Sequence, residues 1–198
     1  HSSGASIDFS YNAGGRIERL TDSLGQTVRY TYDDTQEHLL AFEDIRGRIT
    51  HYAYLDEPGS PRHHALAAVT FPDGTHQYYE YDDAGRLASL YRDGETKRVD
   101  YAYDHAGTLT ITSACGASSR HSYDHRGAVA RTDHSSGNTF WRTFDAMHQT
   151  VRRTDPQGNT WSYTYSDCGE VATQTNPEGK TERFTYDGQP RRMTSYTD

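Results

Sequence analysis

Carboxylates stand side by side at Asp33-Asp34 and Asp82-Asp83. Such pairs could divide the work of glycoside hydrolysis or ligate Ca²⁺. His63-His64 is the best local pair for a metal ion among eleven histidines. Adjacent residues seldom close on one ion without further ligands, and this pair lies in a stretch broken by Pro58 and Pro61, which reads as a solvated loop. Cys115 and Cys168 lack metal-ligand spacing and any neighbouring base that would make a nucleophile. Each precedes a turn glycine, Gly116 and Gly169, and is read as an incidental, reduced thiol. Asp33 and Asp82 each follow a tyrosine and open a turn, where Asp serves the backbone. No EF-hand or Gly-Gly-x-Gly-x-Asp pattern occurs. The residues therefore predict no catalytic, cofactor or metal site and no enzyme.

The composition narrows the classes further. The chain has 198 residues, of which 26 are Leu, Ile, Val or Phe, about 13%. That proportion alone would suggest disorder. A net charge of only −8 and 16 tyrosines oppose it, because disordered chains are charged and poor in aromatics. A folded chain with tyrosine carrying the burial, and no thick aliphatic core, is predicted. No run approaches a membrane helix, the first residues do not form a signal peptide, and a pI near 5.7 with scattered charge argues against nucleic acid.

The elements that place these side chains are repeats. A Tyr, once Phe, recurs at Tyr11, Tyr32, Tyr54, Tyr81, Tyr103, Tyr123, Phe144, Tyr165 and Tyr186. The spacing is about 21 residues, with one longer gap assigned to an insertion at 55–68. Turn glycines follow at Gly25, Gly47, Gly85, Gly107, Gly127, Gly137, Gly158, Gly169 and Gly179. Between turns, short segments alternate with period two, as in Trp161, Tyr163 and Tyr165 against Ser162 and Thr164. Each unit predicts strand, turn, strand, turn. Turns are expected near 12–15, 22–25, 44–47, 82–85, 93–94, 104–107, 124–127, 134–137, 155–158 and 176–179.

The fold class is all-β: consecutive antiparallel hairpins, about sixteen strands, in a sheet too wide to stay flat and so curled into a trough or spiral. Stacking in register is expected to align the anchors in one aromatic row. A second row two residues earlier comprises Phe9, Tyr30, Tyr52, Tyr79, Tyr101, His121, Arg142, Tyr163 and Phe184. His121 and Arg142 break it, which predicts the weakest register near 119–142.

Tyr81-Asp82-Asp83-Ala84-Gly85-Arg86-Leu87 and Asp155-Pro156-Gln157-Gly158, with weaker copies over most of 7–198, resemble the RHS/YD-repeat family. The resemblance is to bacterial Rhs polymorphic-toxin shells, and more distantly to teneurin YD repeats. It implies a hollow β-shell, or cocoon, that encapsulates a C-terminal toxin in a large secreted protein, as in type VI effectors. Implied partners are the enclosed toxin domain of the same parent chain, neighbouring YD repeats and secretion-apparatus proteins, with no nucleic acid and no membrane insertion. The family's self-cleavage motif is of the form Asp-Pro-x-Gly-Leu. Asp155-Pro156-Gln157-Gly158 is followed by Asn159, so it reads as a repeat turn. Residues 1–198 are thus expected to be a repeat segment without toxin or cleavage domain, cut from a larger shell, delivered outside the cell and prone to self-association at its free strand edges. An adhesion or carbohydrate-binding surface is the alternative.

Overall fold

Two rules of chain geometry build this protein. Alternating Tyr, Thr and Val favour extended backbone, and an Asp-x-x-Gly step reverses it within five residues. The computed structural model describes residues 5–188 and 192–197; His1-Ser2-Ser3-Gly4, which likeness to His134-Ser135-Ser136-Gly137 predicts as one more repeat turn, lies outside them. The chain divides into two compact units, His1–Tyr101 and Ala102–Asp198.

The first unit contains β1 (Ile7–Tyr11), β2 (Ile17–Asp22), β3 (Thr27–Tyr32), β4 (Leu39–Glu43), β5 (Ile49–Tyr54), β6 (Leu66–Thr70), β7 (His76–Tyr81), β8 (Leu87–Arg92) and all but the last two residues of β9 (Thr96–Tyr103). The second contains β10 (Thr108–Ser113), β11 (Ser118–Tyr123), β12 (Val129–His134), β13 (Thr139–Phe144), β14 (Thr150–Thr154), β15 (Thr160–Tyr165), β16 (Val171–Thr175), β17 (Thr181–Asp187) and β18 (Arg192–Thr197). Within each unit, every strand pairs antiparallel with the next. The helical content of the described residues is one short 3₁₀ turn, Asp93–Glu95.

Eighteen strands replace the expected sixteen, because every one of the nine units completes both of its strands. The insertion is shorter than expected, 55–65 rather than 55–68. Leu66–Thr70 keeps the alternating pattern and pairs with β5. The loop is closed by the Leu55 N–H donating to the Ala65 carbonyl at 2.8 Å and the His64 N–H donating to Leu55 at 3.0 Å. Turns at 33–36, 71–74, 113–116, 145–148 and 166–169 complete the series.

The aromatic rows are not what stacking like on like implies. Anchors and second-row residues lie on odd-numbered strands, so an even-numbered strand always separates them. Tyr52 faces Val69 and Tyr79 faces Leu90. Aromatic meets aromatic at Tyr30–Phe42, 5.3 Å between ring centres, and at Phe184–Tyr196, 5.7 Å. Pairing also continues through 119–142: Ser119 faces His134, His121 faces Thr132 and Arg131 faces Trp141. His121 is held there by the hydroxyls of Ser119 at 2.9 Å and Thr132 at 3.3 Å. Burial is thin. Val69 and Ser89 are the buried side chains among the described residues, so stability rests on ladders, turns and half-covered faces.

Candidate functional site

The repeated Tyr-Asp step does two separate jobs. In the turn after β7, Asp82 accepts the Gly85 N–H on its carbonyl at 2.9 Å, and its own N–H donates to Arg86 O at 2.9 Å. That closes a type I turn followed by a left-handed residue. The Asp82 Oδ1 accepts the N–H groups of Ala84 at 3.0 Å and Arg86 at 2.9 Å, and Oδ2 accepts the Arg86 Nε–H at 2.8 Å. One carboxylate thus clamps the whole reversal. The Arg86 side-chain bond and then the backbone bond from Arg86 hold the Asp82 carboxyl below the usual range. Asp44, Asp124 and Asp155 clamp their turns through the same two N–H positions. The turn glycines named above have φ between 73° and 91°. Gln36 and His148 occupy the same left-handed position without being glycine, at φ 62° and 69°.

The tyrosine acts on a different strand. At each odd strand from β1 to β7 and from β11 to β17, the register shifts at the anchor, so two residues of the next strand face one. Such a bulge disrupts the ladder locally. The next anchor's hydroxyl donates to the carbonyl at that point: Tyr32 to Ile17 at 3.0 Å, Tyr54 to Leu39 at 3.1 Å, Tyr81 to Leu66 at 2.8 Å, Tyr165 to Thr150 at 2.7 Å and Tyr186 to Val171 at 3.0 Å. All five span 15 residues, including Tyr81, because the inserted loop precedes Leu66. Phe144 has no hydroxyl, and Tyr11 and Tyr123 are exposed at 60% and 40%.

Two of the weighed carboxylates, Asp33 and Asp82, are therefore committed to turns. Asp33 is occupied throughout: Oδ1 accepts the Glu37 and His38 N–H groups, and Oδ2 faces the Thr35 hydroxyl and His38 Nδ1. Partial desolvation opposes its charge, but the bonds led by the His38 side chain outweigh it and hold the carboxyl well below the usual range.

Here the structure brings the His63-His64 pair to His38, 26 residues earlier. His38 Nδ1 lies 2.7 Å from Asp33 Oδ2, and His38 Nε2 lies 2.7 Å from His64 Nδ1. A carboxylate only accepts, so His38 Nδ1 donates to Asp33, and His38 Nε2 and His64 Nδ1 share a hydrogen bond. His63 stacks on His64 with ring centres 3.6 Å apart, and its Nδ1 accepts the Glu57 N–H at 3.3 Å. A cleft of about 370 Å³ opens beside this cluster. Both ring nitrogens of His38 and the Nδ1 of His64 are engaged in fastening the loop, and no group of three or more His, Cys, Asp or Glu among the described residues has metal-site geometry.

A further cluster carried no sequence signal. The buried Ser89 hydroxyl donates to Glu80, Arg98 donates to Ser89 at 3.1 Å, Glu80 at 3.2 Å and Asp100 at 2.9 Å, and Tyr91 donates to Glu80 at 3.1 Å. It joins β7, β8 and β9 and is fully paired. Cys115 and Cys168 are not joined in a disulfide, and both are exposed, in turns at opposite strand ends.

Residues 144–181 match the family model described as RHS Repeat, and that stretch carries the repeat. No curated protein matches the sequence. Among solved structures, TcdB2-TccC3-TEV is similar at a TM-score of 0.63 and 15% identity, over 96% of this chain and 12% of that one. TcdB2-TccC3-Cdc42 is similar at 0.55 and 15%, with the same coverage. TcdB2-TccC3 without its hypervariable C-terminal region gives 0.53 and 14%, over 94% and 12%. The chain thus shares their fold and spans about an eighth of their length.

Proposed function

We propose that this chain is a structural YD-repeat segment of a large secreted protein, forming part of a hollow β-shell that encapsulates a C-terminal toxin of the same parent chain for delivery. The observation that carries this reading is the iterated hairpin with almost no buried core. Among the described residues only Val69 and Ser89 are buried, and the chain aligns over 96% of its length with the fold of TcdB2-TccC3-TEV. The segment itself is non-catalytic: Asp33 and Asp82, the carboxylates first weighed for chemistry, are held in turns. Its partners are adjoining repeats, the enclosed domain and the delivery apparatus of a bacterial cell.

The test is limited proteolysis of the full parent protein. The expected result is a C-terminal domain that resists protease while the shell is intact and is cut once the shell is opened by denaturant. Equal cleavage in both states would overturn the proposal. Trp141, 47% exposed with Arg131 stacked 4.6 Å from its ring centre, favours a second reading, a surface that stacks on sugars in adhesion. Glycan binding abolished by Trp141→Ala would support it.

A further inference from the structure

The repeat supplies its own reference for what its central face requires. Two residues before the anchor, that face carries Phe9, Tyr30, Tyr52, Tyr79, Tyr163 and Phe184. Their partners are Leu20, Phe42, Val69, Leu90, Gln174 and Tyr196. Arg142 stands at this position on β13, and the register places Arg153 of β14 directly opposite it. Like charges directly opposite each other destabilise a sheet. Both side chains are exposed, and neither has an ion-pair partner among the described residues.

Their surroundings do not supply the missing anion. Arg153 lies over the Trp161 ring at 4.7 Å and lowers the Asp155 carboxyl only at a distance, as the last of several influences. Beside Arg142 a hollow of about 310 Å³ is bounded by His121, Thr132, His134 and Phe140, and no carboxylate lines it. By contrast, Arg131 on the other face is matched by Asp133 at 2.8 Å. The hairpin does not need arginine here, since other units fold with Tyr. A position that breaks its own repeat at a cost in stability is where function is expected.

We propose that this notch, centred on Arg142 and Arg153, is a docking surface for an acidic peptide segment. Its Asp or Glu carboxylates would take the guanidinium forks, and its apolar atoms would rest on Phe140 and Trp161. The patch is two arginines wide on a chain of net charge −8. It therefore matches a short run of carboxylates and not a long polyanion, which the rest of the molecule repels.

The test uses the 198-residue chain with Trp141→Phe, so that Trp161 is the sole indole, and hexaglutamate as the probe. Saturable change in Trp161 emission is expected, weakened by added salt. Arg142→Tyr, which restores the repeat, should weaken binding at least about tenfold while raising Tm by about 1–3 °C. Arg153→Gln should weaken binding with the strand circular dichroism retained. Hexalysine should give no change, and inorganic phosphate at equal ionic strength should fail to displace the peptide. Equal binding by Arg142→Tyr and Arg153→Gln, no saturation at millimolar peptide, or displacement by phosphate at lower concentration than peptide would each overturn the proposal.

Discussion

The Tyr81 hydroxyl donates to the Leu66 carbonyl across 2.8 Å, tying the end of β7 to the start of β6. Tyr81→Phe should cost about 0.5–1.5 kcal/mol, the worth of one such bond. The converse change exists in the same molecule. Phe144→Tyr places a hydroxyl at the same offset from Val129, the residue that faces the Tyr123 bulge, and should stabilise by a similar amount. Urea denaturation of the two variants checks both signs; a loss from Phe144→Tyr would show that the bond is not transferable between units.

Two glycines separate backbone strain from steric collision. Both Gly85 and Gly127 have positive φ, 77° and 83°. A Cβ on Gly127 meets nothing within 4 Å, whereas one on Gly85 would lie 2.5 Å from the Pro61 carbonyl oxygen. Gly127→Ala should cost about 1 kcal/mol, the left-handed penalty alone. Gly85→Ala should cost clearly more and loosen the 55–65 loop, read as faster proteolysis between Pro58 and Pro61.

Acid should undo the turns. Asp44, Asp82, Asp104 and Asp124 have folded-state carboxyls below the ordinary range. The leading cause is a side-chain bond from Arg48, Arg86 or Thr108, or for Asp124 the Ala128 N–H. A lowered folded pKa contributes stability that is complete above the unfolded value, about 3.9, and is lost as pH falls through it toward the folded value. Urea midpoints should hold from pH 7 to about 5 and drop below about 4. Asp82→Asn keeps an acceptor for the two N–H groups and should flatten part of that drop.

The Cys115 thiol is held below its ordinary range, first by the bond to the Ser113 hydroxyl, 3.1 Å away. Ser113→Ala should therefore slow alkylation of Cys115 at neutral pH. A disulfide-exchange assay on the unfolded chain, where the two rates should coincide, serves as the control.

Much of this fold was legible because it is local. Asp-x-x-Gly turns and period-two strands are set by neighbours within five residues, so anchors and turns could be placed by spacing. Asp145–His148 shows the limit: the same turn forms with His148 in the left-handed position, and no glycine announces it. The Tyr-to-carbonyl bonds depend on a bulge that shifts register by one residue, which a repeating text does not display. Aromatic rows do not stack because Val69 and Leu90 arrive opposite Tyr52 and Tyr79 from intervening strands. His38 could not be joined to His64 from sequence, because the loop that returns His64 to the turn at 33–38 has no repeat to calibrate it.

The tyrosine bonds also bear on how the chain reaches this state. A hairpin such as β2–β3 is closed by its turn at Asp22–Gly25 and, at its other end, by Tyr32 on Ile17. The turn closes over four residues and the tyrosine latch over 15, so the entropic cost of each closure is small. Folding can then start in any hairpin and spread to its neighbours, as in other linear arrays. A chain emerging from the ribosome would complete one latched hairpin at a time, with no wait for distant sequence.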